Sequence, residues 1–161
     1  MSNFGNYEKS TRDFNWSISE NELEYKAGDI INIGWYCSDR ICLKGNGDKV
    51  ALNYQDYSGI ERKFTFNDVR LASNTIGKFL RDLGLKEEDR ICLFLDRMPE
   101  LYFSFLGILK IGAIVQPLFS AFGDESLYVR LENAQTRAVI TQRKHLSKIK
   151  KIREMLPFLE F

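Results

Sequence analysis

The stretch LKIGAIVQPLFSAF, Leu109 to Phe122, decides the fold class of this sequence. It is the end of an apolar helical pattern that runs through Gly112 into a short strand and then into a loop. Glycine commonly ends a helix because it adopts a left-handed backbone conformation without steric cost. A buried helix that leads directly into a strand is typical of an α/β protein.

The residues on both sides of this junction continue the alternation. Ile91 to Leu95 is a continuous apolar run, as in a strand covered on both faces, and Pro99 then opens a helix. After the strand at Ala113–Val115 we predict a helix over Asp124–Asn133, a strand over Arg137–Thr141 and a helix over Arg143–Leu156. The predicted fold class is therefore α/β, a parallel sheet with flanking helices.

A small antiparallel hairpin precedes this sheet. Val50 to Tyr54 has the alternation of a strand, a turn follows, and Ile60 to Phe64 supplies the second strand. Thr65 and Asp68 form a variant of the capping box at the start of the next helix. Its apolar stripe consists of Val69, Ala72, Ile76, Phe79, Leu80 and Leu83, and Gly84 ends it.

The first part of the chain is simpler. Residues 1–27 are polar with scattered aromatic side chains, and we interpret them as an N-terminal arm. Residues 28–161 are interpreted as one incomplete α/β domain. Just after Gly28, residues Ile30, Ile33, Cys37 and Ile41 recur at helical spacing. They predict a first helix, which the segment Gly45 to Asp48 breaks.

Composition places the chain with soluble globular proteins. Hydrophobic residues make up 44% and charged residues 28% of the 161 residues, and the formal net charge is +1. The amino terminus has no apolar segment of the signal-peptide type. The most apolar window, Leu101 to Phe119, contains Lys110 and Pro117, which a membrane-spanning helix tolerates poorly. Three cysteines without a CxxC pair and a single histidine predict free thiols, no metal site and a cytoplasmic location.

One helix has an unusual distribution of apolar residues. Leu101 to Leu109 is apolar nearly all round, so both of its sides need cover. We expect the remainder of a longer polypeptide to pack on the helix spanning residues 100–110. The isolated chain is then expected to expose an apolar patch and to self-associate.

Several motifs in register resemble the adenylate-forming enzymes. LKIGAIVQP is similar to their early signature L-K-x-G-x-x-x-x-P, and GLKEEDRICLFL followed by Pro99-Glu100 is similar to their G-x-x-x-x-D-R strand and following Pro-Glu. FTFNDV resembles the threonine-led helix start that comes before. Upstream, FNWS and INIGWYCSDR resemble the acetyl-CoA synthetase branch, as does the downstream stretch PLFSAFGDESLYVRLENAQTRAVIT. The resemblance covers residues 12–156.

This resemblance implies that the chain is the first part of the large N-terminal domain of an AMP-forming acyl-CoA synthetase. Such an enzyme joins a small carboxylate to ATP with the help of Mg²⁺ and then transfers the acyl group to coenzyme A. The family's phosphate loop, adenine and magnesium segment and catalytic lysine have no counterpart in this sequence. We therefore expect the fragment alone to be inactive and to bind none of these cofactors tightly. Acetate is the favoured acid, while propionate, a medium-chain acid and an aryl acid stay open.

The resemblance also implies an edge of the coenzyme A site. In the acetyl-CoA synthetase branch, a loop glycine and a basic pair contact coenzyme A, and the basic pair lies at its 3′-phosphate. Those positions fall at Ala121, Ser147 and Lys150, of which only Lys150 keeps the basic character. Lys148 and Lys151 are candidate substitutes, because a flexible ammonium serves a phosphate as a point charge.

The basic helix at residues 143–153 leaves a second class of function open. The segment Gln142 to Arg153 holds six Lys or Arg and no acidic residue. A noncatalytic interaction module, or one that binds an anion or nucleic acid, would use such a patch. The near-neutral whole chain favours the simpler interpretation of a solvated helix face and no nucleic-acid partner. His145 has no predicted partner, and we expect Asp96 and Arg97 to form an ion pair that caps the Pro99 helix.

Overall fold

A computed structural model describes residues 5–26 and 28–161. The chain divides into two compact units, residues 1–31 and 32–161. The first unit contains helices α1 (Tyr7–Asp13) and α2 (Trp16–Leu23), whose first turns are capped by the side chains of Asn6 and Asn15. All elements described below belong to the second unit.

Three short helical turns open the second unit: α3 (Ile33–Tyr36), α4 (Asp39–Ile41) and a π-type turn over Cys42–Asn46. The prediction of one continuous first helix is wrong here. Ser38 has φ −137° and ψ −70°, which interrupts the helix, and its buried hydroxyl donates to the carbonyl oxygen of Gly34 at 2.7 Å. A hydroxyl that bonds a backbone carbonyl competes with helical hydrogen bonding.

The predicted hairpin and the predicted start and end of the helix after it are confirmed. Strands β1 (Val50–Gln55) and β2 (Glu61–Thr65) pair in antiparallel fashion. The Thr65 hydroxyl accepts a bond from the amide of Asp68 at 3.2 Å, and the Asp68 carboxylate accepts one from the amide of Thr65 at 2.8 Å. This reciprocal capping box begins α5 (Phe66–Asp82), and Gly84 follows its end with φ +87°.

A three-stranded parallel sheet with the order β4-β3-β5 forms the centre of the unit. Its strands are β3 (Arg90–Phe94), β4 (Ile114–Pro117) and β5 (Ala138–Thr141). The helices between and after them are α6 (Pro99–Lys110), α7 (Asp124–Asn133) and α8 (Leu146–Ile152). Short 3-10 turns at Arg143–His145 and Arg153–Met155 flank α8, so the predicted helix over 143–156 is three consecutive pieces.

The central strand β3 serves two hydrophobic cores. Ile91 and Leu93 pack into a cluster on one face with residues of α5 and α6, such as Leu80 and Ile108. Cys92 and Phe94 point to the other face, into a second cluster with residues of α7 and α8. All four strand residues have no exposed surface. Because side chains alternate along a strand, a strand covered on both faces must be apolar at every position.

Helix α6 is covered by this chain on two sides, by α5 and by α3. Gly34 of α3 lies so close that a Cβ atom there would be 2.7 Å from the carbonyl oxygen of Leu106. Tyr102 is the most exposed large apolar residue of the helix, at 48%. The apolar composition of α6 is thus largely explained within the chain, and cover by a longer polypeptide stays a prediction, as does self-association.

A partly buried ion pair lies at the junction between α6 and β4. The ammonium of Lys110 lies 2.5 Å from the Asp39 carboxylate, and the two side chains are 10% and 19% exposed. The same ammonium donates to Ser73 Oγ at 2.9 Å and to Asn74 Oδ1 at 2.7 Å on α5. The Asn32 amide donates to the Lys110 carbonyl oxygen at 3.0 Å. Two separate sequence motifs, CSDR and LKIG, therefore meet at this lysine.

The face that α5 turns toward α6 differs from the predicted stripe. Its buried residues are Val69, Ser73, Gly77 and Leu80, whereas the predicted Phe79 is 59% exposed. Ser73 and Gly77 are small, and they allow α6 to approach closely at Gly107. The close approach of the two helices therefore selects small residues on this face, even where a larger apolar residue such as Phe79 was predicted.

We expect the substitution Gly107→Ala to destabilise the chain. A Cβ atom at Gly107 would lie 2.8 Å from the backbone oxygen of Ser73 and 3.0 Å from Ile76 Cγ2. The overpacking should outweigh the higher helix propensity of alanine and lower the free energy of unfolding by about 1–2 kcal/mol. Urea unfolding followed by circular dichroism measures this change.

The control for this test is Gly123→Ala. Gly123 has φ −75°, and a Cβ atom there would meet nothing within 4 Å. Because Gly123 is the N-cap of α7, where alanine is less favourable than glycine, its variant should lose only about 0.5 kcal/mol, less than the Gly107 variant. Equal stabilities for the Gly107 and Gly123 variants would show that the two helices are not in close contact at this crossing.

Candidate functional site at the carboxyl edge of the sheet

The candidate site lies at the carboxyl edge of the sheet, where β3 ends at Phe94, β4 at Pro117 and β5 at Thr141. Open parallel α/β sheets bind ligands outside the carboxyl ends of their strands. The segments that follow the three strands supply Asp96, Ser120 and His145 to this edge. Side chains far apart in sequence are thereby brought together.

Asp96 is the centre of the polar contacts at this edge. Its carboxylate forms an ion pair with Lys144, accepts from Ser120, and lies 2.9 Å from His145 Nε2. Its backbone amide donates to Gln142 Oε1 at 3.0 Å. The expected capping pair between Asp96 and Arg97 is wrong, because the carboxylate turns toward the segment after β5 and Arg97 is exposed. His145 therefore has a partner that the sequence did not show.

These contacts change proton affinity in a definite direction. Hydrogen bonds from Lys144, Ser120 and His145 hold the pKa of the Asp96 carboxyl well below its usual range. The hydrogen bond to Asp96 in turn raises the pKa of Lys144. Asp96 is therefore ionised at neutral pH, and its carboxylate connects the segments that follow the three strands.

The loop after β4 is held by Lys148 of α8. The Lys148 ammonium donates to the carbonyl oxygen of Phe122 at 2.7 Å and to that of Ser120 at 3.2 Å. It also lies 5.5 Å from the centre of the Phe94 ring. Lys148 thus spans Ala121, the loop position that the resemblance connects with coenzyme A.

The other candidate residues occupy different environments. Ala121, Ser147 and Lys150 are exposed. Lys151 pairs with Asp124 at the start of α7, with 2.9 Å between the charged atoms. In the described part of the chain Lys150 has no hydrogen-bonding or ion-pair partner. Of the three candidate lysines, it alone presents an ammonium that the fold does not already use.

Most of the positive charge in the basic segment is engaged. Lys144, Lys148 and Lys151 are bound as described, and the Arg153 guanidinium donates to the carbonyl oxygens of Leu159 and Glu160. Within residues 5–26 and 28–161, only Arg143 and Lys150 of the six cations lack such a contact. Most cations of the segment therefore bind oxygen atoms of the fold and do not form an open basic patch.

The buried cysteine is protected, and the other two are unpaired. Burial raises the pKa of the Cys92 thiol to about 12, so this thiol stays protonated and unreactive. Cys37 and Cys42 are free as well. Among the helices of the described residues, none combines the length and apolar composition needed to cross a membrane.

A groove away from the carboxyl edge has a volume of about 490 Å³. It lies beside the Lys110–Asp39 pair, and Trp35, Lys78 and Arg81 line its rim. Lys78 is paired with Asp82 across one helical turn. Because the lysine at its base is already neutralised by Asp39, the groove presents no free buried charge at that point.

Asp96 should stabilise the fold only while it is ionised. Its folded pKa is lowered relative to about 3.9 in the unfolded chain. The contribution is therefore fully present above about pH 5 and is lost as the pH falls below about 4 toward the folded pKa. Asp96→Asn should be less stable than the unchanged chain at pH 7, and the difference should shrink at pH 3.

Urea unfolding at a series of pH values measures this difference, with Asp82→Asn as the control. Asp82 pairs with Lys78 on the exposed surface, where such pairs contribute about 0–1 kcal/mol. A difference for Asp96→Asn that stayed constant down to pH 2 would contradict the proposed ionic tie.

Comparison with known proteins places these features in a family. The AMP-binding enzyme family model matches residues 40–160. The acetyl-coenzyme A synthetase of Bacillus subtilis is 38% identical over 148 residues, which are 91% of this chain and 26% of that protein. The crotonobetaine/carnitine–CoA ligase of Salmonella paratyphi A is 33% identical over 109 residues, which are 67% of this chain and 21% of that protein.

Solved structures agree with the fold. An acyl-CoA synthetase from Brucella canis superposes with a TM-score of 0.83 and 29% identity, covering 95% of this chain and 27% of that one. An anthranilate CoA ligase in complex with anthranoyl-AMP gives a TM-score of 0.71 and 28% identity, covering 84% and 25%. The chain spans about a quarter of the length of these relatives. Since the family model covers most of its residues, the chain belongs to the AMP-binding enzymes, the adenylate-forming family that includes the acyl-CoA synthetases.

Proposed function

We propose that this chain is the N-terminal portion of an AMP-forming acyl-CoA synthetase that activates a short-chain carboxylate, with acetate favoured. The carboxylate attacks the α-phosphate of ATP to give an acyl-adenylate and pyrophosphate, and the thiol of coenzyme A then takes the acyl group and releases AMP. The observation that carries the proposal is the match to an acetyl-coenzyme A synthetase over 91% of the chain. The ion pair between Asp39 of the CSDR motif and Lys110 of the LKIG motif supports it, because two stretches that resemble the same family contact each other in the fold.

The residues of this chain fit the coenzyme A part of the reaction better than the ATP part. Ala121 is exposed in the loop after β4, and Lys150 presents an unpaired ammonium on α8, as a phosphate contact requires. The turn at Gly45 to Gly47 lacks the following lysine of a phosphate loop. ATP and Mg²⁺ would therefore bind elsewhere in the proposed parent enzyme, where they supply the electrophilic phosphate and offset its charge.

The chain's own contribution would be to place and support the loop that coenzyme A approaches. Asp96, Ser120 and Lys148 fix this loop against the ends of β3 and β5. A fixed loop lowers the entropy cost of orienting the thiol of coenzyme A, and such orientation is a general source of rate acceleration. No acid or base for proton transfer is assigned to the chain.

The complete reading frame provides the test. We would extend the frame that encodes this chain past the codon for Phe161 to its stop codon, express the product, and measure carboxylate-dependent exchange of pyrophosphate into ATP. Acetate, propionate, hexanoate and anthranilate sample the acid classes left open. We expect the highest exchange and acyl-CoA formation with acetate, and neither activity from residues 1–161 alone.

Each outcome has a distinct meaning. Exchange with another acid would overturn acetate but leave the ligase assignment intact. Acyl-CoA formation by residues 1–161 alone would contradict the predicted inactivity of the fragment. A complete product that ends at Phe161, or that shows no exchange with any carboxylate, would contradict the ligase proposal for the natural protein.

A second candidate function, binding of an anion or nucleic acid by residues 143–153, has weaker support. Four of the six cations in that segment are engaged by backbone or carboxylate oxygens. Binding to a polyanion depends on free cations that displace counterions from phosphates. The engaged cations therefore favour the ligase over this alternative.

A further inference from the structure

The loop Phe119–Phe122 has a defined shape with one exposed residue between fixed neighbours. The amide of Phe122 donates to the carbonyl oxygen of Phe119 at 3.0 Å, which closes a tight turn. Ala121 is exposed within this turn. Ala121 is therefore exposed because it lies on the outside of a hydrogen-bonded turn.

Lys148 holds both sides of Ala121 from a different element. Its ammonium bonds the carbonyl oxygens of residues 120 and 122, so two of its three donors are used on the loop backbone. The side chain is only partly exposed and lies over the Phe94 ring. Charge-assisted bonds of this kind are roughly twice as strong as neutral ones.

Two further contacts restrict the same loop. Asp96 accepts a hydrogen bond from the side chain of Ser120. The guanidinium of Arg130 lies 4.3 Å from the centre of the Phe122 ring, in the range of a cation–π contact. The loop is therefore anchored through β3, α7 and α8 together.

We infer that Lys148 is a positioning residue for coenzyme A: it holds the backbone on both sides of Ala121 and does not bind the 3′-phosphate itself. This inference rests on the proposed function. It replaces the expectation that Lys148 substitutes for a phosphate contact, because its ammonium already serves two backbone oxygens. Lys150, exposed and unpaired, is then the matched candidate for the phosphate contact.

The test compares Lys148→Met and Lys150→Met in the product of the complete reading frame, with coenzyme A and with 3′-dephospho-coenzyme A as acyl acceptors. Lys148→Met should raise the KM for both acceptors by about tenfold, the loss expected for one charge-assisted hydrogen bond. Any change in carboxylate-dependent pyrophosphate exchange should be much smaller than the change in acyl-CoA formation, because the loop acts in the second half reaction. Lys148→Arg, which keeps charged donors, should recover part of the loss.

Lys150→Met supplies the contrast. It should raise the KM for coenzyme A only, since removal of the 3′-phosphate also removes its partner. A Lys148→Met defect that disappears with the dephospho acceptor would overturn the inference and make Lys148 a direct phosphate ligand. An unchanged KM for both acceptors would overturn it as well.

The two proposals fail in different ways. Absence of pyrophosphate exchange in the unsubstituted protein would contradict the proposed function, whereas active protein with an insensitive Lys148→Met variant contradicts only the positioning role. If Lys148→Met does not fold, Lys148→Gln carries the same comparison, because it keeps an N–H donor and removes the charge. Equal KM values for that variant and the unsubstituted protein would then overturn the inference.

Discussion

The ion pair between Lys110 and Asp39 joins the end of α6 to the helical turn α4. The lysine sits at the last residue of α6, immediately before the turn into β4, and its ammonium also binds Ser73 and Asn74 of α5. Burial by itself would raise the pKa of Asp39, but bonds from Lys110 and Ser38 outweigh it, and the net pKa is lowered. Asp39 is therefore ionised at neutral pH, and loss of either side chain would leave the other partly buried without its ion-pair partner. The pair lies at the end of α6, two residues before Gly112, whose φ of +76° turns the chain toward β4.

At the carboxyl edge of the sheet, ionic contacts again join segments that are distant in sequence. Asp96 joins the segments after β4 and β5 through Ser120, Lys144 and His145, while Lys148 binds the loop backbone. A charge count along the sequence treats the lysines after residue 142 as one basic patch. In the fold most of them neutralise or cap specific oxygen atoms, which leaves little free charge to attract a polyanion. This distribution is the reason why nucleic-acid binding by this segment has weak support.

Much of the fold was predictable because its signals are local or strongly periodic. The capping box at Thr65, the proline start of α6 and the continuous apolar run of β3 each specify their element from a few neighbouring residues. The failures have a common physical cause, since they depend on contacts between distant residues. Ser38 interrupts a periodic pattern so that Asp39 can reach Lys110, and the choice of Ser73 over Phe79 at the α5–α6 contact depends on how closely two backbones approach. The partner of His145 lies 49 residues away in sequence, so no local pattern could have identified it.

A double-mutant cycle on Asp39 and Lys110 measures how strongly the two side chains are coupled. Asp39→Asn, Lys110→Met and the double variant would be compared by urea unfolding at pH 7. We expect each single change to lower the free energy of unfolding by roughly 2 kcal/mol, because it leaves a partly buried charge without its ion-pair partner. The double variant should cost less than the sum, with a coupling free energy of about 2 kcal/mol. Strictly additive losses, within about 0.5 kcal/mol, would contradict the account and show that the two motifs are held together by something other than this ion pair.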